Sequence, residues 1–105
     1  MTKEMQLKEL AYARSGDKGS NANIGVISYT PEGFELIKKH LTPEKIQEFF
    51  KSLGVTSVKR YELPNLWALN FVLKDVLAEG GSASLRIDSQ GKALGQALLE
   101  MKIEV

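Results

Sequence analysis

The sequence predicts a two-layer α+β sandwich in which helices cover one face of a mixed sheet. Runs of β-branched and aromatic residues alternate with amphipathic segments, so that helices are interleaved with few strands. Strands that are joined through helices need crossover connections, and some parallel pairing is therefore expected. The 105 residues, of which 43% are hydrophobic, are enough for one domain over residues 1–105 with its own core.

Two predicted strands flank a polar segment near the start of the chain. Residues 5–13 are short and apolar-rich, and residues 24–29 are β-branched and aromatic, which favours a strand in each case. Gly25 within the second run indicates a bulge or a close backbone approach. The segment 14–23 between the two strands is expected to be a loop.

Two predicted helices begin with the same three-residue pattern. Thr30-Pro31-Glu32 and Thr42-Pro43-Glu44 each place a capping threonine before a proline at the first helical position. The glutamate that follows lies near the positive end of the helix dipole. Gly54 is expected to end the second helix. The predicted core-facing residues are Phe34, Ile37 and Leu41 in the first helix, and Ile46, Phe49, Phe50 and Leu53 in the second.

The second half of the chain predicts further strands and helices. Pro64 ends a strand, and the apolar run that follows it predicts a helix buried on more than one side or facing a partner subunit. In chain order, the expected elements are a strand over 55–63, a helix over 65–77, a strand over 82–87, a helix over 92–101 and an edge strand over 102–105.

The polar segment from Arg14 to Asn23 has the composition of a loop that holds an anionic or polar ligand. Gly16 and Gly19 permit positive φ, so that backbone N–H groups could converge on an anion. Arg14 can bind a carboxylate or phosphate with its planar fork, and Lys18 adds a point charge. The residues predicted to bind the ligand are Arg14, Ser15, Gly16, Asp17, Lys18, Gly19, Asn21 and Asn23.

Other interpretations of this segment stay open. Its glycine spacing fits neither a Walker A loop nor a dinucleotide-binding fingerprint. Its turn-forming residues are also compatible with a long polar hairpin turn without a ligand. In that case Arg14 and Asp17 would form a surface ion pair of little value.

A second polar group lies later in the chain. Asn65 could bind a ligand or cap the helix expected after it, and a buried Asn70 amide would need a hydrogen-bond partner. Polar residues after the Gly80-Gly81 pair could reach the same end of the sheet. The secondary site residues are Arg60, Asn65, Asn70, Arg86 and Asp88.

The composition excludes several classes of site and partner. Without cysteine there is no disulfide, thiolate metal site or thiol nucleophile, and the single histidine, His40, permits no histidine cluster within one chain. The net charge of +1 argues against a nucleic-acid binder. No run approaches the ~20 apolar residues of a membrane span, and the start lacks a signal peptide. We therefore expect a cytoplasmic protein without a metal or cofactor.

Several segments distributed along the chain carry a family resemblance. They are Ala11-Tyr12-Ala13-Arg14-Ser15-Gly16-Asp17-Lys18-Gly19, Asn23-Ile24-Gly25-Val26-Ile27, Arg60-Tyr61-Glu62-Leu63-Pro64-Asn65-Leu66, Ala68-Leu69-Asn70-Phe71, Gly80-Gly81, and Arg86-Ile87-Asp88 with Gln90-Gly91-Lys92. Together they resemble the small domain of the acyclic terpene utilisation (AtuA-like) proteins. The resemblance implies a ferredoxin-like α+β fold. It also implies work beside a larger domain, here expected to be a separate AtuA-type protein.

The lead hypothesis is a small accessory or ligand-binding subunit. The resemblance implies a role in bacterial catabolism of terpenoid or other branched acids, as free acids or coenzyme A thioesters, with homo-oligomers and a larger AtuA-type partner. One rival is a self-sufficient oligomeric lyase, isomerase or hydratase, in which Asp17 acts as base while Lys18 and Arg14 stabilise an enolate or carboxylate. Another rival is a purely structural oligomerisation module.

Overall fold

The computed structural model describes residues 4–18, 21–51, 54–75 and 94–104, and the fold is given for these. Single turns of 3-10 helix lie at Leu7–Glu9 and Pro64–Leu66. The helices and strands in chain order are β1 (Glu4–Gln6), β2 (Ala11–Lys18), β3 (Asn21–Ser28), α1 (Pro31–His40), α2 (Pro43–Phe49), β4 (Ser57–Leu63), β5 (Ala68–Lys74), α3 (94–99) and β6 (Lys102–Glu104).

The strands form a four-stranded sheet in the order β2-β3-β5-β4 and a two-stranded sheet of β1 with β6. Every described pair is antiparallel, so the parallel pairing expected from helical crossovers is not found among these strands. The reason is that β2 with β3 and β4 with β5 are two antiparallel pairs of consecutive strands, which short connections can join. The strand predicted over 82–87 lies outside the described residues.

Strand β5 replaces the helix predicted over 65–77, and that prediction is wrong. Leu69, Phe71 and Leu73 alternate along the strand and are fully buried beneath the helices. β5 is a central strand, hydrogen-bonded on both sides to β3 and β4. A central strand tolerates apolar residues on both faces, and such a run resembles a buried helix when periodicity alone is considered.

The predicted helix starts are confirmed by their capping bonds. The Thr30 Oγ1 accepts a hydrogen bond from the Gly33 N–H at 2.9 Å, and the Thr42 Oγ1 accepts one from the Lys45 N–H at 3.1 Å. α2 ends at Phe49, before the predicted Gly54. Phe49 is 39% exposed and does not face the core as predicted, whereas its neighbour Phe50 is buried. Leu53 lies outside the described residues.

The helices cover one face of the four-stranded sheet. The largest fully buried core residues are Leu7, Ile24, Val26, Ile37, Leu41, Ile46, Leu69, Phe71, Leu73, Leu98 and Ile103. No described helix covers the opposite face, which we call the open face. Because side chains alternate along a strand, the open face carries the residues between the buried ones. Its exposed members include Tyr12, Tyr61 and Leu63.

Candidate functional site

The segment from Arg14 to Asn23 forms most of a β-hairpin and not the loop expected from its composition. Arg14 pairs with Gly25, Gly16 pairs with Asn23, and the strands stay in register to their ends. Backbone groups that form a ladder between strands do not converge on an anion, so a nest is excluded for the paired residues. Gly19 and Ser20 lie outside the described residues. Ligand binding by the side chains of the hairpin stays a prediction.

Strand alternation divides the predicted ligand-binding residues between the two faces. Ser15 faces the helices, where its Oγ accepts a hydrogen bond from the Gly95 N–H of α3 at 3.2 Å. Ser15 therefore lies on the face covered by helices, whereas Arg14 lies on the open face. For Asp17 and Lys18 only the backbone is described, paired with Ala22 and Asn21. The predicted residues that lie on the open face are Arg14, Gly16, Asn21 and Asn23.

One transverse row of the sheet brings two predicted residues together on the open face. Arg14, Gly25, Asn70 and Tyr61 are successive partners across the four strands. Neighbouring strands are about 4.8 Å apart, so the Cα atoms of Arg14 and Asn70 are about 10 Å apart. Within the described residues, neither side chain has a hydrogen-bond or ion-pair partner. A ligand that lies over Gly25 is therefore within reach of both side chains.

A concavity of about 460 Å³ lies over this row and the next, and we call it the cup. The central strands contribute the small residues Gly25 and Ala68 together with the larger Ile27, whereas the edge strands contribute Tyr12 and Leu63. The small residues at positions 25 and 68 leave space between the larger side chains around them. The lining residues are Tyr12, Arg14, Gly25, Ile27, Leu63, Leu66, Ala68, Leu69 and Asn70. Arg14 is the cation among them, and most of the others are apolar.

A smaller, more polar concavity of about 340 Å³ adjoins the cup along the open face. It is lined by Asn21, Ala22, Asn23, Asn70 and Val72, so Asn70 is common to both concavities. The Asn21 Oδ1 accepts a hydrogen bond from the Asp75 N–H at 3.2 Å, which ties the end of β5 to β3. The open face therefore joins the hairpin amides to Arg14 and Asn70 in one continuous surface.

The other secondary residues lie apart from the cup. Arg60 faces the helices, and its Nη1 donates to the carbonyl oxygens of Lys38 at 2.8 Å and Leu41 at 3.1 Å. These bonds satisfy carbonyls at the end of α1 that have no partner within the helix. Asn65 is exposed in the 3-10 turn after Pro64 and does not cap the expected helix, since β5 follows. Arg86 and Asp88 lie outside the described residues.

A match to a known protein domain establishes the family of the chain. The sequence profile described as the AtuA ferredoxin-like domain matches residues 5–104, nearly the whole chain. The chain belongs to this family. The match confirms the resemblance and the ferredoxin-like α+β fold of the AtuA domain. No curated protein and no solved structure shows a significant match to it.

The described strands give the open face of the AtuA ferredoxin-like domain a single sign of charge. Arg14, Lys59 and Lys74 occupy open-face positions, and no described open-face position of β2 to β5 carries a carboxylate. A face of one sign raises the local concentration of oppositely charged ligands. The described residues of the domain contain no group of three His, Asp or Glu side chains able to hold a metal ion. They also contain no helix long and apolar enough to cross a membrane.

The sequence patterns do not predict the apolar part of the cup. Tyr12 lies in a segment whose alternation of apolar and polar residues is too imperfect to assign faces. Leu63 and Leu66 flank Pro64, and only the 3-10 turn at this proline brings Leu66 over the sheet. The one available signal was the concentration of large apolar residues in a polar-flanked turn, since turns are usually polar.

Proposed function

We propose that this AtuA ferredoxin-like domain is a small ligand-binding subunit that takes an anionic group at Arg14 on its open face. The observation that carries the proposal is an exposed arginine, without an internal ion pair in the described residues, at the wall of an apolar cup. A guanidinium fork matches a carboxylate or phosphate with two parallel hydrogen bonds. The adjacent Asn70 amide can donate a further bond.

The lining of the cup supports a ligand that is anionic at one end and apolar elsewhere. Small-molecule sites of about 300–1,000 Å³ are mostly apolar, with a few polar groups that fix orientation. The cup has this size, with Arg14 and Asn70 on one row and Ile27, Leu63 and Leu66 beyond them. Terpenoid or other branched acids, as free acids or coenzyme A thioesters, have this amphipathic character.

The exposure of the cup supports an accessory role beside a larger AtuA-type partner. Leu66 is 63% exposed, and Tyr12 and Leu63 are each more than 40% exposed. Known small-molecule sites bury about 70–90% of their ligand, so a second protein surface over the cup would complete the site. Tyr29 and Trp67 are also exposed near this end of the sheet and extend the apolar surface available to a partner. Large exposed patches of this kind mark interaction sites.

Calorimetry with a branched carboxylate and with its coenzyme A thioester, whose charge lies on its phosphates, tests the ligand-binding part of the proposal. We expect isovalerate and isovaleryl-coenzyme A to bind the wild-type chain, and Arg14→Gln to weaken binding by about tenfold or more, as for other charged hydrogen bonds. Lys39→Gln removes an exposed cation on α1 and serves as the matched control with unchanged affinity. Failure of the wild type to bind either probe, or equal binding by Arg14→Gln, would overturn the proposal.

Affinity purification from source cells tests the accessory role. We expect an AtuA-type protein, identified by mass spectrometry, to be recovered with the tagged chain. Leu66→Ser should reduce its recovery, because this side chain is the most exposed apolar residue at the cup. Phe49→Ser changes an exposed apolar residue on α2 and should leave recovery unchanged. Recovery of the chain alone, or only as a homo-oligomer, would contradict an accessory role.

A further inference from the structure

The glycine at position 25 has no structural explanation among its described neighbours. It lies in the middle of the central strand β3. Its φ is outside the left-handed region, whereas Gly54, among the described glycines, has a φ within that region. A Cβ added at Gly25 would find nothing closer than 3.9 Å, from the Arg14 carbonyl oxygen and the Asn70 Oδ1. Those are ordinary contacts. The fold would therefore accept a methyl group here, although glycine weakens a strand.

Two other glycines show what a structural requirement looks like in this domain. A Cβ at Gly33 would clash with the buried Ser28 Oγ. A Cβ at Gly95 would lie 3.1 Å from the Ser15 Oγ and 3.4 Å from the Ala13 Cβ. Both glycines allow a helix to pack closely on the sheet. Gly25 permits no such approach, since it faces away from the described helices.

The effect of Gly25 is on the shape of the open face. It lies between Arg14 and Asn70, and the next row of the floor has the small Ala68 on the neighbouring strand. Any larger side chain at position 25 would take up space in the cup between Arg14 and Asn70, close to the Ile27 side chain. The space is lined further along by Ile27 and Leu63, so it suits an aliphatic group and not a second charge.

We propose that Gly25 keeps the floor of the cup open for the aliphatic tail of a carboxylate whose head group binds Arg14, so that Gly25 determines which tails the domain accepts. This inference rests on the proposed function. It assigns the two halves of the ligand to separate residues: Arg14 and Asn70 bind the polar head, and the floor at Gly25 and Ala68 contacts the tail. Each methylene removed from water in such a site raises affinity by about fourfold.

The dependence of affinity on tail size distinguishes this inference from the proposed function. We would titrate the wild type with acetate, isovalerate and octanoate, which share the carboxylate and differ in the tail. The wild type should prefer isovalerate and octanoate to acetate by about tenfold or more. Gly25→Val should remove that preference while binding acetate as the wild type does. Gly25→Ala should show the same change in smaller degree.

A residue elsewhere on the same face provides the control. Ser57→Val adds apolar bulk at an open-face position of β4 outside the cup, and it should keep the tail preference. Circular dichroism would establish that each variant is folded. Binding through Arg14 without a tail preference, or an unchanged preference in folded Gly25→Val or Gly25→Ala, overturns the role of Gly25 alone. Absence of any carboxylate binding by the wild type overturns the proposed function and this inference together.

Discussion

Arg14 and Asn70 lie in the same transverse row of the four-stranded sheet, with only Gly25 between them. They are 56 positions apart in the sequence, and the pairing of β3 with both β2 and β5 brings them together. Their side chains are free of hydrogen-bond partners within the described residues. This relationship defines the polar part of the cup.

Removal of the Asn70 amide should weaken binding of a carboxylate without affecting the fold. Asn70→Ala should reduce affinity for isovalerate by about tenfold or more, because a hydrogen bond to a charged group contributes about 1.5–3 kcal/mol. Asn70→Asp should reduce it further, because a second carboxylate repels the ligand. Asn65→Ala, in the exposed 3-10 turn outside the cup, is the control. Calorimetry would show the effect, and an Asn70→Ala affinity equal to that of the wild type would remove Asn70 from the site.

Arg60 should contribute to the stability of the fold and not to the binding of a carboxylate. Arg60→Ala leaves the carbonyl groups of Lys38 and Leu41 without their present partner at the end of α1. We expect a loss of about 1–3 kcal/mol in the free energy of unfolding, measured with urea. Lys59→Ala removes a neighbouring exposed cation and should change stability little. A loss of carboxylate affinity in folded Arg60→Ala would instead return Arg60 to the ligand site.

Glycine-to-alanine substitutions should lower the free energy of unfolding at some positions and raise it at another. Gly33→Ala and Gly95→Ala force methyl groups against Ser28 and Ser15, and each should lower the free energy of unfolding by about 1–3 kcal/mol. Gly25→Ala should raise it by about 0.5–1 kcal/mol, because alanine suits a strand better than glycine and meets no close neighbour. Urea unfolding of the three variants would test this order. Destabilisation by Gly25→Ala would mean that the fold itself requires this glycine.

His40 should make stability depend on pH. Burial, followed by the positive charges of Lys39 and Lys45, holds its pKa below the ordinary value of 6.5, although Glu104 opposes the shift. A lowered pKa in the folded state means that the unfolded chain binds the proton more tightly, so protonation favours unfolding. The stabilising difference is present above the ordinary pKa and is lost as the pH falls through the lowered value. His40→Gln should flatten this part of the pH profile of the urea midpoint, and an unchanged profile would contradict the assignment.

The features predicted correctly from sequence depend on short-range chemistry. Thr30 and Thr42 cap helices through bonds to residues three positions later, so the local pattern contains the information. The segment from 65 to 77 wrongly predicts a helix because Leu69, Phe71 and Leu73 are separated by residues that are also partly buried. Only the position of β5 between two strands distinguishes these alternatives, and that position is a property of the whole sheet.

In the candidate site, too, local chemistry is predictable from the sequence whereas the arrangement of the residues is not. Arg14 and Asn70 could be chosen from their chemistry, but their proximity depends on strand register, which no single segment specifies. Ser15 had suitable chemistry and the wrong face, because a one-residue step along a strand moves a side chain to the other side of the sheet. The apolar cup depends on the small residues Gly25 and Ala68, which lie among larger residues of neighbouring strands, and this arrangement exists only once the strands are ordered.

The central claim is that an anionic ligand binds the open face at Arg14. Two-dimensional NMR of the labelled wild-type chain during titration with isovalerate tests it most directly, because each backbone amide gives its own signal and so locates the binding site. We predict saturable shifts at Arg14, Gly25 and Asn70, small shifts on α1 and α2, and loss of the open-face shifts in Arg14→Gln. The absence of saturable shifts, shifts confined to the helices, or unchanged open-face shifts in Arg14→Gln would contradict it.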